Sequence, residues 1–246
     1  MIGASAAAIA AEVLTRSGII DVAPFSEVLV RFLTLMADPA FLVGAFDTIV
    51  AWAVGLLLAT VVAVALGVLL GTVPFLSKAS QVVVEFLRPI PSVALIPLAI
   101  LVFGSETEMK VSLILYAATW PILLQTLYAL RDVDPLAKEA LRSFGFGRLS
   151  VLWRVSLPSA APFVATGVRV AAGIALVVVV AAELLSGGES GVGVILIEAR
   201  SGGGATDVML AVALWTGVFG LLVNTLLVRV ERVAFRWHAV RTGALT

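Results

Sequence analysis

The sequence predicts an all-α protein, a polytopic helical bundle in a membrane, from its composition and the spacing of its charges. Hydrophobic residues make up 61% of the 246 residues and charged residues only 13%, against about 45–50% and about 25% in soluble domains. Too few polar side chains remain to coat a soluble globule, which argues against a water-soluble enzyme. The 16 basic and 16 acidic residues cancel, and a net charge of zero argues against a nucleic-acid partner.

Long stretches with little or no charge predict five membrane spans. Three of them are uncharged and cover residues 48–77, 111–130 and 208–228. A bilayer core about 30 Å thick needs about 20 apolar helical residues, so each stretch can cross it. Two further spans are predicted over residues 89–105, which prolines interrupt, and over residues 155–182, which carry a single charge.

A short sixth span is predicted near the N-terminus, over residues 2–20. This stretch is rich in alanine and carries Glu12 and Arg16, which are four residues apart and can pair on one helix face. An interfacial helix is the alternative. No basic residue precedes the apolar run, which disfavours a signal peptide. Residues 1–246 are expected to form a single transmembrane domain.

The distribution of basic residues predicts the orientation. Lysine and arginine are enriched in cytoplasmic loops, and twelve of the 16 basic residues fall on one side of the predicted spans. That side is therefore expected to be cytoplasmic, with both termini inside if there are six spans. The twelve are Lys78, Arg88, Arg131, Lys138, Arg142, Arg148, Arg154, Arg169, Arg229, Arg232, Arg236 and Arg241.

Cysteine and histidine usage predicts no metal centre. The chain has no cysteine and one histidine, His238, so disulfides, thiolate ligands and cysteine nucleophiles are excluded. A lone histidine cannot build a zinc site.

The longest cytoplasmic segment, residues 131–162, is predicted to begin with a short capped helix. Asp134 followed by Pro135 is typical of an N-cap with proline at the first helical position, and Gly145 is typical of a helix stop. Apolar residues, among them Leu136, share one face of this helix and charged residues the other.

A second amphipathic helix is expected over residues 148–157, ending at Pro158. Short helices of this kind form either a docking element for a partner or an interfacial connection between spans. Periodicity alone does not choose between these two.

The same segment resembles the EAA signature of permease subunits of binding-protein-dependent ABC importers, written E-A-A-x3-G-x9-I-x-L-P. The spacing matches throughout, and two positions depart from the signature, with leucine for the second alanine and valine for isoleucine. Such a match in this topological place is a specific signal. The matching residues are Glu139, Ala140, Leu141, Gly145, Val155, Ser156, Leu157 and Pro158.

Further motifs extend the resemblance over nearly the whole chain, to the nitrate, sulfonate, taurine and bicarbonate branch of that family. They are Pro-Phe-Ser-Glu-Val-Leu at 24–29, Phe-Leu-Arg-Pro-Ile-Pro at 86–91, Leu-Arg-Asp-Val-Asp-Pro at 130–135 and Thr-Gly-Val-Arg at 166–169.

The resemblance implies a non-catalytic permease subunit in a bacterial inner membrane. Two copies would form the pathway among the lipids, two separate ATPase subunits would bind ATP and Mg²⁺, and a periplasmic or lipid-anchored binding protein would deliver the substrate. The chain has no G-x-x-x-x-G-K-[ST] loop of its own and is expected to hold no cofactor. The residues expected to contact the ATPase are Pro135, Leu136, Glu139, Ala140, Arg142, Ser143, Phe144, Gly145, Leu157 and Pro158.

The expected substrate is a small organic or inorganic anion, such as a sulfonate, taurine or nitrate. A thiamine precursor, a flavin or an aromatic acid is the alternative within the same family.

Prolines and intramembrane charges predict the translocation path. Prolines inside a span leave carbonyls that must face protein or water, and charges at membrane depth are functional candidates by default. The predicted path residues are Pro89, Pro91, Pro97, Pro121, Arg169 and Glu183.

Two other features each leave two interpretations open. Small residues recur every fourth position from Ala51 to Gly71, which suits either a helix that slides during transport or static close packing. Residues 186–206 are predicted to form an external glycine-rich loop, whose apolar insert at 192–197 is either a re-entrant helix at an outer gate or part of a flexible loop.

Rival functions fit less well. An ion-coupled secondary transporter usually shows internal repeats and coupling-ion residues, and no mid-span acid–base pair is predicted. An intramembrane hydrolase needs a serine with a membrane histidine or lysine, or two mid-span aspartates, and the sequence offers neither.

Overall fold

The computed structural model describes residues 12–17, 22–104 and 107–236, and within these ranges the regular structure is helical. Most of the N-terminal span predicted over residues 2–20 lies outside the described residues, as does His238. The helices in chain order are α1 (Phe25–Leu35), α2 (Pro39–Thr72), α3 (Pro74–Leu87), α4 (Ile96–Phe103), α5 (Thr107–Asp132), α6 (Pro135–Ser143), α7 (Arg148–Val151), α8 (Leu157–Ser186), α9 (Val192–Ser201) and α10 (Thr206–Ala234). A 3₁₀ turn over Ser92–Leu95 precedes α4, and a π-helical segment over Leu152–Ser156 joins α7 to α8.

Within the described part of the chain, four helices are long and apolar enough to cross a membrane. They are α2, α5, the continuous helix Arg148–Ser186 and α10, and the pair of α3 with the 3₁₀ turn and α4 makes a fifth if it counts as one broken span. The four long helices overlap the predicted stretches 48–77, 111–130, 155–182 and 208–228. The predicted stretch 89–105 contains the 3₁₀ turn and α4, whereas α3 precedes it and was not predicted as part of a span. Many large apolar side chains on them are exposed, as lipid-facing residues are in a membrane bundle: Leu57 and Leu221 are each 65% exposed.

The third predicted span, over residues 89–105, is not a straight helix. The chain bends by 79° between α3 and the segment Ser92–Phe103. Pro89 and Pro91 lie in the break, where they remove two backbone donors and disfavour helical geometry in the residues before them. Most of the second half of this stretch is the short helix α4.

The helix predicted to end at Pro158 instead continues to Ser186, so that prediction was wrong. Pro158 lies in the first turn of α8, directly after the π-helical segment Leu152–Ser156. The wider π turn loosens the hydrogen-bond ladder where proline has no N–H to donate, and this lets the helix pass through. The helix that begins at Arg148 therefore continues without a break into a membrane span.

Helix α5 lies at the centre of the bundle, packed between α2 and α8. The small residues of α2 face it: a Cβ atom added at Gly55 would lie 2.7 Å from Ile114, and one added at Gly67 would lie 2.6 Å from Thr126. Such distances are shorter than any tolerated carbon contact. The row of small residues therefore packs α2 onto α5 within the chain.

Candidate coupling surface and translocation path

Helix α6 is fixed at both ends by local hydrogen bonds, as the sequence predicts. Its N-terminus is capped by Asp134, whose Oδ1 accepts from the backbone N–H of Leu136 at 2.9 Å. At its C-terminus the N–H of Gly145 donates to Arg142 O and that of Phe146 to Leu141 O. Gly145 has a φ of 83°, so this is the Schellman arrangement, in which glycine avoids the strain of left-handed backbone.

The apolar face of α6 points away from the bundle. Leu136 is 74% exposed and Phe144 is 82% exposed, and Leu149 on the following helix is 69% exposed. The opposite face is tied to the membrane helices, because Lys138 Nζ donates to Leu130 O at the end of α5, at 3.2 Å. We call the exposed residues of segment 135–149 the coupling surface.

The ten residues expected at the ATPase contact fall into two groups. Eight of them are exposed on α6 and its C-terminal turn, while Leu157 is half-buried and Pro158 is exposed at the start of α8. The first group includes the exposed apolar side chains of Leu136 and Phe144, which we call the apolar ridge, and the residues around them. The second group lies at the start of the long span. The eight are Pro135, Leu136, Glu139, Ala140, Arg142, Ser143, Phe144 and Gly145.

The prolines predicted to line the path all lie at breaks or starts of helices, except one. Pro89 and Pro91 lie in the bend after α3, Pro97 is in the first turn of α4, and Pro121 is inside α5. The first three are exposed on the isolated chain and Pro121 is half-buried.

Arg169 is tied to the last span. Its Nη1 lies 3.7 Å from Glu231 Oε2 on α10, and Thr166 Oγ1, one turn earlier on α8, donates to Glu231 Oε1 at 2.9 Å. Arg169 therefore joins the middle of α8 to the last turn of α10.

Glu183 is completely buried in a network that connects three elements. Its Oε1 accepts from Lys110 Nζ on α5 at 3.0 Å, and the hydroxyl of Thr48 on α2 lies 2.9 Å from both carboxylate oxygens. The side chain of Lys110 is only 5% exposed and that of Glu183 is 0% exposed. We call Thr48, Lys110 and Glu183 the outer network.

The outer network also holds the start of α9. Glu183 Oε2 accepts from the N–H of Gly193, Thr48 Oγ1 accepts from that of Val192, and Lys110 Nζ donates to Ser190 O. Gly191 has a φ of 146°, and a Cβ there would lie 2.3 Å from Glu183 Cδ. Of the two interpretations of the glycine-rich segment, the structure shows the helix, which is anchored at its N-terminus.

Sequence reasoning considered Glu183 alone and missed its partners. A signal was available, because Lys110 and Glu183 are opposite charges, each within about one turn of the end of its span and predicted on the same side of the membrane. The hydroxyl of Thr48 and the backbone donors of α9 carry no such signal.

A cavity of about 600 Å³ separates α3 from α5 and is called the inner cavity. The sequence assigns Arg88, one of its lining residues, to the cytoplasmic side. The structure places the backbone before it within the bundle, because Tyr116 Oη on α5 donates to Leu87 O at 2.6 Å. The polar and charged lining residues are Ser77, Ser80, Gln81, Glu85, Arg88, Tyr128 and Arg131.

Among the described residues no group of three or more histidine, aspartate and glutamate side chains lies close enough together to hold a metal ion.

Comparison with known proteins decides the family. Residues 55–235 match the family described as "Binding-protein-dependent transport system inner membrane component". This chain belongs to that family.

The family assignment confirms the resemblance carried by the EAA-like residues. The chain is 29% identical to the nitrate import permease protein NrtB of Leptolyngbya laminosa over 201 residues, covering 78% of this chain and 71% of the relative. It is 32% identical to the putative aliphatic sulfonates transport permease protein SsuC of Escherichia coli strain K12 over 155 residues, which are 63% of this chain and 58% of that relative.

A solved structure shares the fold of this permease-family chain. The methionine ABC transporter MetNI in an inward-facing conformation aligns with a TM-score of 0.65 at 20% identity, covering 77% of this chain and 94% of the other. At that identity the likeness establishes the arrangement of helices and nothing about the substrate.

Proposed function

We propose that this chain is the multi-pass permease subunit of an ATP-driven importer, in which two copies form the pathway across the inner membrane. Two separate ATPase subunits dock on the coupling surface, and a binding protein delivers the substrate to the opposite end. The excess of basic residues that the sequence assigns to the coupling side supports a cytoplasmic location for that end and for the termini.

The observation that carries the proposal is the exposed apolar ridge on a rigid, capped helix. A helix that only connects two spans would turn its apolar face toward the bundle or end in a flexible loop. Here Lys138 holds the polar face against α5, and Leu136 and Phe144 project outward. A fixed ridge flanked by Glu139 and Arg142 suits a protein groove with complementary charges.

The long helix Arg148–Ser186 supplies a mechanical connection. It has 39 residues, which at about 1.5 Å per residue gives a lever about 58 Å long. Its first turn adjoins the coupling surface, and Glu183 at its far end holds the N-terminus of α9. Closure of the ATPases would move the near end, and the π-helical segment with Pro158 is the part that flexes.

The substrate that we propose is a small organic or inorganic anion such as nitrate, taurine or a sulfonate. Support comes from the relatives, which are named for nitrate, aliphatic sulfonates, bicarbonate and taurine. The chain spans 71% of the length of the nitrate relative and 58% of the length of the aliphatic sulfonates relative. A thiamine precursor, a flavin or an aromatic acid is the competing substrate class.

Replacement of Glu139 by arginine tests the docking step. Because the change reverses a charge beside the ridge without touching a buried contact, we expect normal insertion and stability but loss of ATPase co-purification and of uptake. Glu189→Arg, an exposed position at the other end of the bundle, is the matched control for charge reversal and is expected to retain ATPase co-purification. Unchanged co-purification of the ATPase with Glu139→Arg would contradict the proposed docking.

A further inference from the structure

Arg88 enters the inner cavity from within the membrane span. Tyr116, whose hydroxyl donates to the carbonyl of Leu87, is nine residues from the start of α5 at Thr107 and sixteen from its end at Asp132. At about 1.5 Å per residue these are distances of about 14 Å and about 24 Å. The residue that follows Leu87 therefore lies at membrane depth and not in a cytoplasmic loop.

The guanidinium of Arg88 forms no hydrogen bond or ion pair with the described residues. A charged side chain at this depth is expensive to place in lipid, so it must face water, protein or a ligand. Lys110 and Glu183, the two buried charged residues in the described part of the chain, are paired with each other. Arg88 is instead exposed on the isolated chain and lines the inner cavity, so its N–H donors are available to a ligand there.

The other two charged residues of the cavity lining each form a hydrogen bond with a neutral side chain. Arg131 donates to Ser77 Oγ at 3.0 Å, and Glu85 accepts from Gln81 Nε2 at 2.8 Å. The lining carries two guanidinium groups against one carboxylate, so the cavity is net positive. Of these three charged side chains, Arg88 alone forms no hydrogen bond or ion pair with the described residues.

We propose that Arg88 is an anion-binding residue of a water-filled inner vestibule, and that this cavity of about 600 Å³ holds a small oxyanion such as nitrate or a sulfonate during transit. A planar guanidinium offers parallel N–H donors that match two oxygens of such an anion. The second N–H of the Gln81 side chain, which is not used in the bond to Glu85, can donate to another oxygen of the anion. The inference rests on the proposed function, because it names the place where the imported anion is held.

Charge-selective labelling tests the vestibule without knowledge of the natural substrate. The chain contains no cysteine, so Ser80→Cys gives a single reactive thiol in the cavity of the full-length chain assembled with its partners in phosphatidylcholine vesicles. We expect the anionic reagent methanethiosulfonate ethylsulfonate to react faster than its trimethylammonium counterpart. Adding Arg88→Gln should lower that rate ratio by about tenfold, since one unit charge at short range in a partly aqueous site has this order of effect.

Two matched variants separate this effect from general disturbance. Arg88→Lys keeps the charge and should retain most of the ratio. Lys78→Gln removes a positive charge from the same helix at an exposed position outside the cavity lining, and should leave the ratio unchanged. An equal ratio with and without Arg88 would overturn the proposal.

The source of the anion is distinguished by competition. Potassium nitrate should slow labelling by the anionic reagent relative to gluconate at equal ionic strength, as expected for a free oxyanion. Slowing by phosphatidylglycerol with no effect of nitrate would assign the site to a lipid phosphate and overturn the proposal. Absence of labelling by either reagent would show that a second copy closes the cavity, and this would also overturn the proposal. Failure of substrate uptake by the wild-type complex would instead contradict the proposed function, and the labelling would still be interpretable.

Discussion

At the scale of single residues, the outer network explains how two formal charges are tolerated in the interior. Lys110 and Glu183 pair at 3.0 Å, and Thr48, Ser190 and Gly193 provide further hydrogen bonds to the two charged groups. A buried pair of this kind contributes little net stability compared with apolar side chains, but removal of one partner leaves an uncompensated charge. The outer network therefore contributes more to the specificity of the helix arrangement than to its net stability.

Single and double substitutions of the pair should behave very differently. We expect Lys110→Met and Glu183→Gln each to lower the free energy of unfolding by about 3–5 kcal/mol, because each leaves the other charge buried. The double variant should lose much less than the sum, since no charge remains. Denaturant titration in detergent of all four proteins measures this coupling.

A conservative control identifies what the carboxylate does besides pairing. Glu183→Asp keeps the charge but shortens the side chain by one methylene, so it should keep the pairing with Lys110 only at the expense of the contact with Gly193. Cysteine-based distance measurements between α8 and α9 would then report a wider distribution of distances.

For the double variant of Lys110 and Glu183, a loss of stability equal to the sum of the two single losses would show that the pair is not coupled.

At the scale of helices, the contact between α2 and α5 depends on glycines, because a residue without a side chain lets the two helices approach closely. Gly67→Ala should lower the free energy of unfolding by about 1–3 kcal/mol, because its new methyl group would lie 2.6 Å from Thr126. Gly173→Ala is the matched control, as no atom lies within 4 Å of a Cβ there. It should be neutral or stabilising by up to about 1 kcal/mol, since alanine restricts the unfolded chain.

Thermal unfolding of the two alanine variants in one detergent makes the comparison direct. Equal melting temperatures would mean that α2 can move away from α5 at no cost, as a sliding helix would. A lower melting temperature for Gly67→Ala than for Gly173→Ala would support static packing.

At the scale of the whole molecule, the charge asymmetry defines the two ends. The ion pair between Arg31 and Asp207 joins two residues predicted outside, at 3.0 Å, and the hydrogen bond from Arg131 to Ser77 joins two predicted inside. Partners that the sequence assigns to one side thus meet at one end of the bundle.

Single cysteines measure the orientation directly. In sealed cells Ser201→Cys, exposed at the C-terminal end of α9, should react with an impermeant thiol reagent. Ser143→Cys on the coupling surface should react only after the membrane is opened. The wild-type chain is the unreactive control, because it has no cysteine. The reverse pattern of accessibility would invert the topology and remove the basis for cytoplasmic ATPase docking.

The sequence predicted those parts of the structure that depend on local chemistry. The caps of α6 at Asp134 and Gly145 follow from side-chain and backbone preferences within a few residues, and the spans follow from the absence of charge. Pro158 was misjudged because a π-helical segment upstream compensates for its missing donor. The partners of Glu183 lie 73 and 135 residues away in sequence, so only the folded bundle brings them together.

The separation of Lys110 and Glu183 along the chain has a consequence for membrane insertion. Lys110 enters with α5, but its carboxylate partner arrives 73 residues later, after the coupling segment has been synthesised. Until then the ammonium group can remain at the headgroup level, because Lys110 lies in the first turn of α5 and an unpaired charge is costly to place deeper in the bilayer. The outer end of this bundle can therefore form only after α8 has been inserted beside α5. Assembly of the protein thus depends on a contact between two spans that forms late in synthesis.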